Sequence, residues 1–94
     1  MQLNSIIMNP DLVIRRDNDE CLALLMKDSG TVLYRANGMH ADALLFLTTQ
    51  TEVLTYASLK EHLLSVYEVE SQDLDNDISN MLTIFGQLDI LSIA

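Results

Sequence analysis

Residues 20–36, ECLALLMKDSGTVLYRA, decide the fold. Two β-prone runs, Glu20–Met26 and Thr31–Ala36, flank Lys27, Asp28, Ser29 and Gly30, which are turn-forming types with a glycine able to take a positive φ. That pattern predicts a β-hairpin. Upstream, Leu12–Arg16 reads as another strand, joined to the hairpin by Asp17, Asn18 and Asp19. Three strands in a row with short turns predict an antiparallel meander. In its last strand Val32, Tyr34 and Ala36 alternate with Thr31, Leu33 and Arg35, so the first set is expected on the covered face. A sheet this small needs helices over one face, and its last strand keeps one edge unpaired.

From Asn37 onward the spacing turns helical. Asn37 is expected to cap a helix through Met39–Thr49, with Ala43, Leu44 and Leu47 on one stripe and Phe46 extending it or packing on the sheet. A polar break at Thr48, Gln50 and Glu52 follows. Thr55 caps a second helix, Tyr56–Tyr67, with the stripe Leu59, Leu63, Val66 and Tyr67. Ser71 caps a third, with Asp73 and Asp75 in its first turns, where the helix dipole favours negative charge. Its apolar stripe is Leu74, Ile78, Met81, Leu82, Phe85 and Leu88. Ile90–Ala94 is expected to pair as a wing or to pack back. The expected fold class is α+β, a three-stranded antiparallel meander followed by a three-helix bundle. Residues 1–10 read as a loose arm ending at Pro10, and residues 11–94 as one domain.

Charge narrows the partners. The 94 residues carry a net charge of −9, which opposes binding to a phosphate backbone or an anionic membrane surface. All five basic residues (Arg15, Arg16, Lys27, Arg35 and Lys60) precede His62; from Glu61 onward every charged residue is an acid. This half reads first as a solvated face that keeps the domain in solution. It reads second as an acidic wall beside a groove that prefers a basic or neutral peptide. The single cysteine, Cys21, cannot form an internal disulfide, which fits a reducing cytoplasm, and in an apolar run it reads as a small core residue. Met1–Pro10 lacks the basic and apolar regions of a secretory signal, and no run reaches transmembrane length.

Catalytic and ligand motifs are not legible. Gly30, Gly38 and Gly86 are too scattered for a phosphate loop. His40 and His62 lack metal-ligand spacing and read as boundary histidines. Asp73, Asp75 and Asp77 alternate, but a calcium loop counted from Asp73 lacks the glycine at its sixth position and the glutamate at its twelfth. An acyl-carrier serine is not supported, because Asp28–Ser29 runs into Gly30 and Ser71 follows Glu70. The expectation is a chain that is not an enzyme and needs no cofactor or metal.

From Leu12 to Leu91 the chain resembles the PqqD-like proteins, the recognition elements that bind leader peptides of ribosomally made, later modified peptides. The matching pieces are Val13–Arg16, the Asp28–Ser29–Gly30 turn, Tyr34–Asn37, Ala41–Leu47 and Thr55–Leu59. Leu63, Tyr67–Val69, Asp77–Ile78, Met81–Leu82 and Ile90–Leu91 complete the set. There are two departures. One extra residue between Gly30 and Tyr34 suggests a bulge or shifted register, and Asp89 stands where the family commonly has glycine.

The resemblance implies a winged-helix-like fold whose third meander strand accepts the leader as a further strand, beside the third helix. Carried onto this chain, Thr31, Val32, Leu33, Tyr34 and Arg35 offer main-chain partners, and Asp77, Ile78, Met81, Ile84 and Phe85 form the groove wall. Leu33 and Arg35 are the better functional residues of the strand, because alternation frees them from the core, and Asp77 reads equally as a cap or ion-pair partner. The implied function is a cytoplasmic, non-enzymatic peptide chaperone. Its partners are a precursor's leader peptide and a modifying enzyme, either a radical SAM enzyme or a lasso-peptide maturase. Main-chain bonding with an ordering cost predicts dissociation constants from about nanomolar to tens of micromolar. The open edge is also compatible with a strand-swapped homodimer. The rival readings are a winged-helix DNA-binding regulator, which would want Lys or Arg on its recognition helix, and a subunit that merely tethers two proteins.

Overall fold

Turn chemistry and long-range pairing build two different sheets. The computed structural model describes residues 5–18, 20–50 and 53–93. Its elements in chain order are β1 (Ser5–Met8), β2 (Val13–Asp17), β3 (Glu20–Lys27), β4 (Gly30–Asn37), α1 (Gly38–Thr49), β5 (Leu54–Thr55), α2 (Tyr56–Val66), α3 (Ser71–Gln87) and β6 (Leu91–Ile93). The chain is an α+β fold with two antiparallel three-stranded sheets and three helices.

The first sheet has the order β2-β3-β4. Its register runs without interruption from Glu20 opposite Asn37 to Lys27 opposite Gly30. Of the expected bulge or shifted register, no bulge interrupts this pairing, and the turn at Asp28 and Ser29 closes it with Gly30 at φ +136°. The strand bounds fall within one residue of expectation. Asn18 takes φ +55°, as a tight turn requires, and Asp19 lies outside the described residues.

The second sheet corrects the reading of the first ten residues as an arm. Ser5–Met8 is the middle strand of the order β5-β1-β6, with Ile6 opposite both Leu54 and Ile93. Ile6 is only 4% exposed and joins the core. Its apolar pair recruits partners far along the chain. Residues 1–4 lie outside the described residues. The apolar end resolves as a strand, β6, pairing beside β1; Ala94 is outside the described part.

The helices cover the inner face of the meander. Cys21, Ala23 and Ala36 present small side chains there, so that α1 can approach closely with Ala41, Ala43, Leu44 and Leu47. Leu59 and Leu63 of α2 and Leu74, Ile78, Met81 and Phe85 of α3 close the same core. Each large side chain so buried contributes about 1.5–3 kcal/mol.

Several local expectations shift. Asn37 is the N-cap position of α1 but its side chain makes no cap hydrogen bond; Gly38 at φ +56° makes the entry instead. Thr55 does cap α2, in a reciprocal box in which the Thr55 hydroxyl accepts from the Ser58 amide. Glu70, not Ser71, is the N-cap residue of α3, so Ser71 opens the helix. Val66 is half exposed rather than part of the stripe, because α2 ends there. Phe46 stacks on His62 of α2, with ring centroids 4.3 Å apart, rather than on the sheet.

Asp89 ends α3 in the left-handed region at φ +61°. The Asp89 amide donates to Gly86 O and the Ile90 amide to Phe85 O, the double bond pattern of a Schellman cap. Asn9 braces that corner, its side-chain amide donating to Asp89 O at 3.0 Å. Lys27, at the hairpin tip, pairs with the Asp89 carboxylate and so links the two sheets.

Candidate functional site

Among the described residues β4 has one strand partner, β3, and its other edge is open. Lys27 and Gly30 flank a two-residue turn, and such a turn closes on a pair that exchanges both main-chain hydrogen bonds. Antiparallel alternation then assigns Gly30, Val32, Tyr34 and Ala36 to the β3 side. The main-chain N–H and C=O groups of Thr31, Leu33 and Arg35 point to the open edge. Three of the five expected strand partners thus carry the free groups, and Val32 and Tyr34 spend theirs inside the sheet.

The side chains of the two sets face opposite ways. Thr31, Leu33 and Arg35 are exposed on the outer face, whereas Val32 and Tyr34 are half-buried on the inner one. Arg35 Nε lies 3.4 Å from Glu20 Oε2 across the sheet. Tyr34 meets Phe85 of α3 edge-on, centroids 5.8 Å apart, a ring contact on the inner face that ties β4 to α3. His40 meets the same Phe85 ring at 6.0 Å. Tyr34 Oη and His40 Nδ1 lie 2.9 Å apart in a hydrogen bond whose direction the histidine tautomer decides. Burial pushes the Tyr34 phenol above its ordinary range.

The α3 residues expected to form the wall divide. Ile78, Met81 and Phe85 are fully buried and offer no surface to a ligand in this state; their spacing serves the core. Asp77 is exposed and Ile84 half-buried, and helical geometry puts both on the flank that also holds Leu88. Asp75 and Leu82 occupy the other flank, which meets α2. There Lys60 Nζ lies 2.9 Å from Asp75 Oδ1 and Tyr56 Oη donates to the same oxygen at 2.5 Å. The Tyr56 hydrogen bond, then Lys60, hold the Asp75 carboxyl below its usual range. Burial, together with Asp75, pushes Tyr56 up to about 12. Tyr67 donates to Asp42 of α1, which with burial raises its phenol to about 12 as well. These bonds pin both ends of α2.

Of the acids in α3, Asp75 is therefore structural, and Asp77 makes no ion pair among the described residues. Cys21 is buried, and desolvation raises its thiol pKa, as suits a core residue. His40 is the residue that sequence reasoning undervalued. Its link to Tyr34 depends on the sharp entry at Gly38, which no periodicity reports.

A cleft of about 810 Å³ opens elsewhere, between the hairpin tip (Met26–Ser29) and Ile7, Met8, Leu91 and Ser92 of the second sheet. Strand addition needs an edge rather than a cavity, so the cleft does not compete with β4 for that role. Among the described residues no helix is long and apolar enough to cross a membrane. Compared with known protein families, curated proteins and solved structures, the chain matches none.

Proposed function

We propose that this chain is a PqqD-like recognition element: a non-enzymatic peptide chaperone that takes the leader of a ribosomally made precursor as an added strand on β4 and presents it to a modifying enzyme. In this reading the meander and the three helices form a winged-helix-like unit, and the enzyme is of the radical SAM or lasso-maturase kind. The observation that carries it is the open edge of β4, a strand whose Tyr34 touches Phe85 of α3. Thr31, Leu33 and Arg35 supply the main-chain bonds, and Asp77 and Ile84 line the α3 side. A leader side chain entering between Tyr34 and α3 must displace or join the Tyr34–His40 pair. The acids at Asp73 and Asp77 favour a leader without net negative charge there.

A winged-helix DNA regulator would need bases on α3, which carries Asp73, Asp75 and Asp77 and no Lys or Arg. The decisive experiment is an amide NMR titration of labelled protein with leader peptides of precursors encoded beside its gene. Saturable shifts along Thr31–Arg35 and at Asp77 and Ile84 are expected. Leu33→Pro sharpens it: the lost N–H faces the open edge, where proline is tolerated, so the fold persists while affinity falls about tenfold. Shifts confined to α2, or binding unaffected by Leu33→Pro, would rule strand addition on β4 out.

A further inference from the structure

A strand added to β4 meets two different neighbours on the outer face of the meander. Cross-strand pairing puts Val13, Leu24 and Leu33 in one row and Arg15, Leu22 and Arg35 in the next. Both rows stop at the open edge, so Leu33 and Arg35 are their terminal members. Leu33 is 62% exposed, with Leu24 on one side and the open edge on the other. Arg35 is the one base in β4, and its side chain is 67% exposed. Its contact with Glu20, 3.4 Å from Nε to Oε2, is longer than a charge-assisted hydrogen bond. Glu20 stands on β3, on the far side of Arg35 from the edge. A guanidinium carries five N–H donors in a planar fork, and that one contact leaves most of them for a group beside the edge.

The main chain decides what stands next to these two side chains. Leu33 and Arg35 turn their N–H and C=O groups to the edge, so an antiparallel ligand strand sets one residue directly opposite each. Directly opposite residues put their side chains on the same face and in contact. The two ligand residues therefore sit at alternate positions, both facing outward.

We propose that the strand captured by β4 carries an acidic side chain opposite Arg35 and an apolar one, at the next position but one, opposite Leu33. This inference rests on strand capture and adds what capture selects. Main-chain bonds supply affinity but are blind to sequence; the two outer-face pairs set the register. An antiparallel ligand reads acid–any–apolar from its N-terminus and a parallel one the reverse, so the order also reports direction. In a chain of net charge −9 a ligand carboxylate is repelled over most of the surface, which makes its place beside Arg35 selective. That place is on the outer face, apart from the demand for a leader without net negative charge beside Asp73 and Asp77.

Random dodecapeptides displayed on phage and panned against the immobilised full chain test it. Only peptides whose binding Leu33→Pro abolishes are scored, because those occupy the β4 edge. They are expected to share Asp or Glu and an apolar residue at alternate positions. In fluorescence anisotropy with synthetic copies, replacing the acid by Lys should weaken binding about tenfold, and less at high salt. Arg35→Glu should reverse the preference, the Lys peptide then binding about tenfold tighter than the acidic one. A misfolded variant cannot produce that gain. Leu33→Thr keeps a strand-forming residue and should remove the apolar preference alone. Edge-bound peptides with no charge preference, or an Arg35→Glu chain that selects the same peptides, overturn the inference and leave strand capture standing. Failure to enrich any peptide sensitive to Leu33→Pro overturns strand capture itself, and this inference with it.

Discussion

The β2-β3-β4 sheet joins β3 to β4 through a continuous register across one two-residue turn, whereas β1 holds its two neighbours through a few pairs each. Ser5 finds Thr55, and Ile6 finds Ile93. The meander closes small loops and gains a bond for nearly every residue it fixes. The other sheet closes most of the chain for little hydrogen bonding, and it stands only because Ile6, Leu54 and Leu91 also enter the core. One sheet is stabilised along the chain and the other through the core. The first can be damaged locally, the second only together with the packing.

The largest effect should come from β1. Ile6→Ala removes the buried anchor and is expected to cost about 2–5 kcal/mol in chemical denaturation. Amide exchange should quicken at Leu54–Thr55 and Leu91–Ile93 while β3 and β4 keep their protection. Equal loss in both sheets would mean that they are a single cooperative unit. A smaller effect is expected at Gly30, whose φ of +136° suits no side chain although a Cβ there meets open space. Gly30→Ala should cost about 1–3 kcal/mol from backbone strain alone, leaving exchange in β1 and β6 unchanged. A cost near zero would show the turn relaxing into another type. The smallest effect belongs to the bridge between the sheets. Lys27→Ala removes the pair with Asp89, whose partners are both partly exposed, and should lower stability by under about 1 kcal/mol. Because salt screens the pair, the difference from the parent should shrink at high ionic strength. A larger, salt-independent loss would mean that the lysine stem, not its charge, braces the corner.

The same contrast explains what could be read before the fold was known. The meander was legible because Asp17–Asn18 and Asp28–Ser29–Gly30 announce turns and the alternation in Thr31–Ala36 announces a face. The helices were legible from their stripes. β1 was not, since four residues carry no local sign of strand partners so far along the chain, and the turn at Asn9–Leu12 that follows leads into β2, a strand of the other sheet. The candidate site was legible by element but not by atom. Turn closure, a structural fact, separates Thr31, Leu33 and Arg35 from Val32 and Tyr34. The apolar spacing of Ile78, Met81 and Phe85 is the same whether a residue lines a groove or fills a core, and here it fills the core. His40 reads in sequence only as a boundary histidine because its partners, Tyr34 and Phe85, come from β4 and α3.

The antiparallel pairing of β1 with β6 has a mechanical meaning. Ile6 lies opposite Ile93 and Met8 opposite Leu91, so the outward-leading ends of both strands emerge on the same side. Tension applied at those ends loads the pairs one after another, as a zipper is opened, instead of shearing them together. In a single-molecule pulling experiment this sheet should therefore part first at low force, releasing a short extension. The meander, gripped through its own turns, should hold until a later and separate rupture.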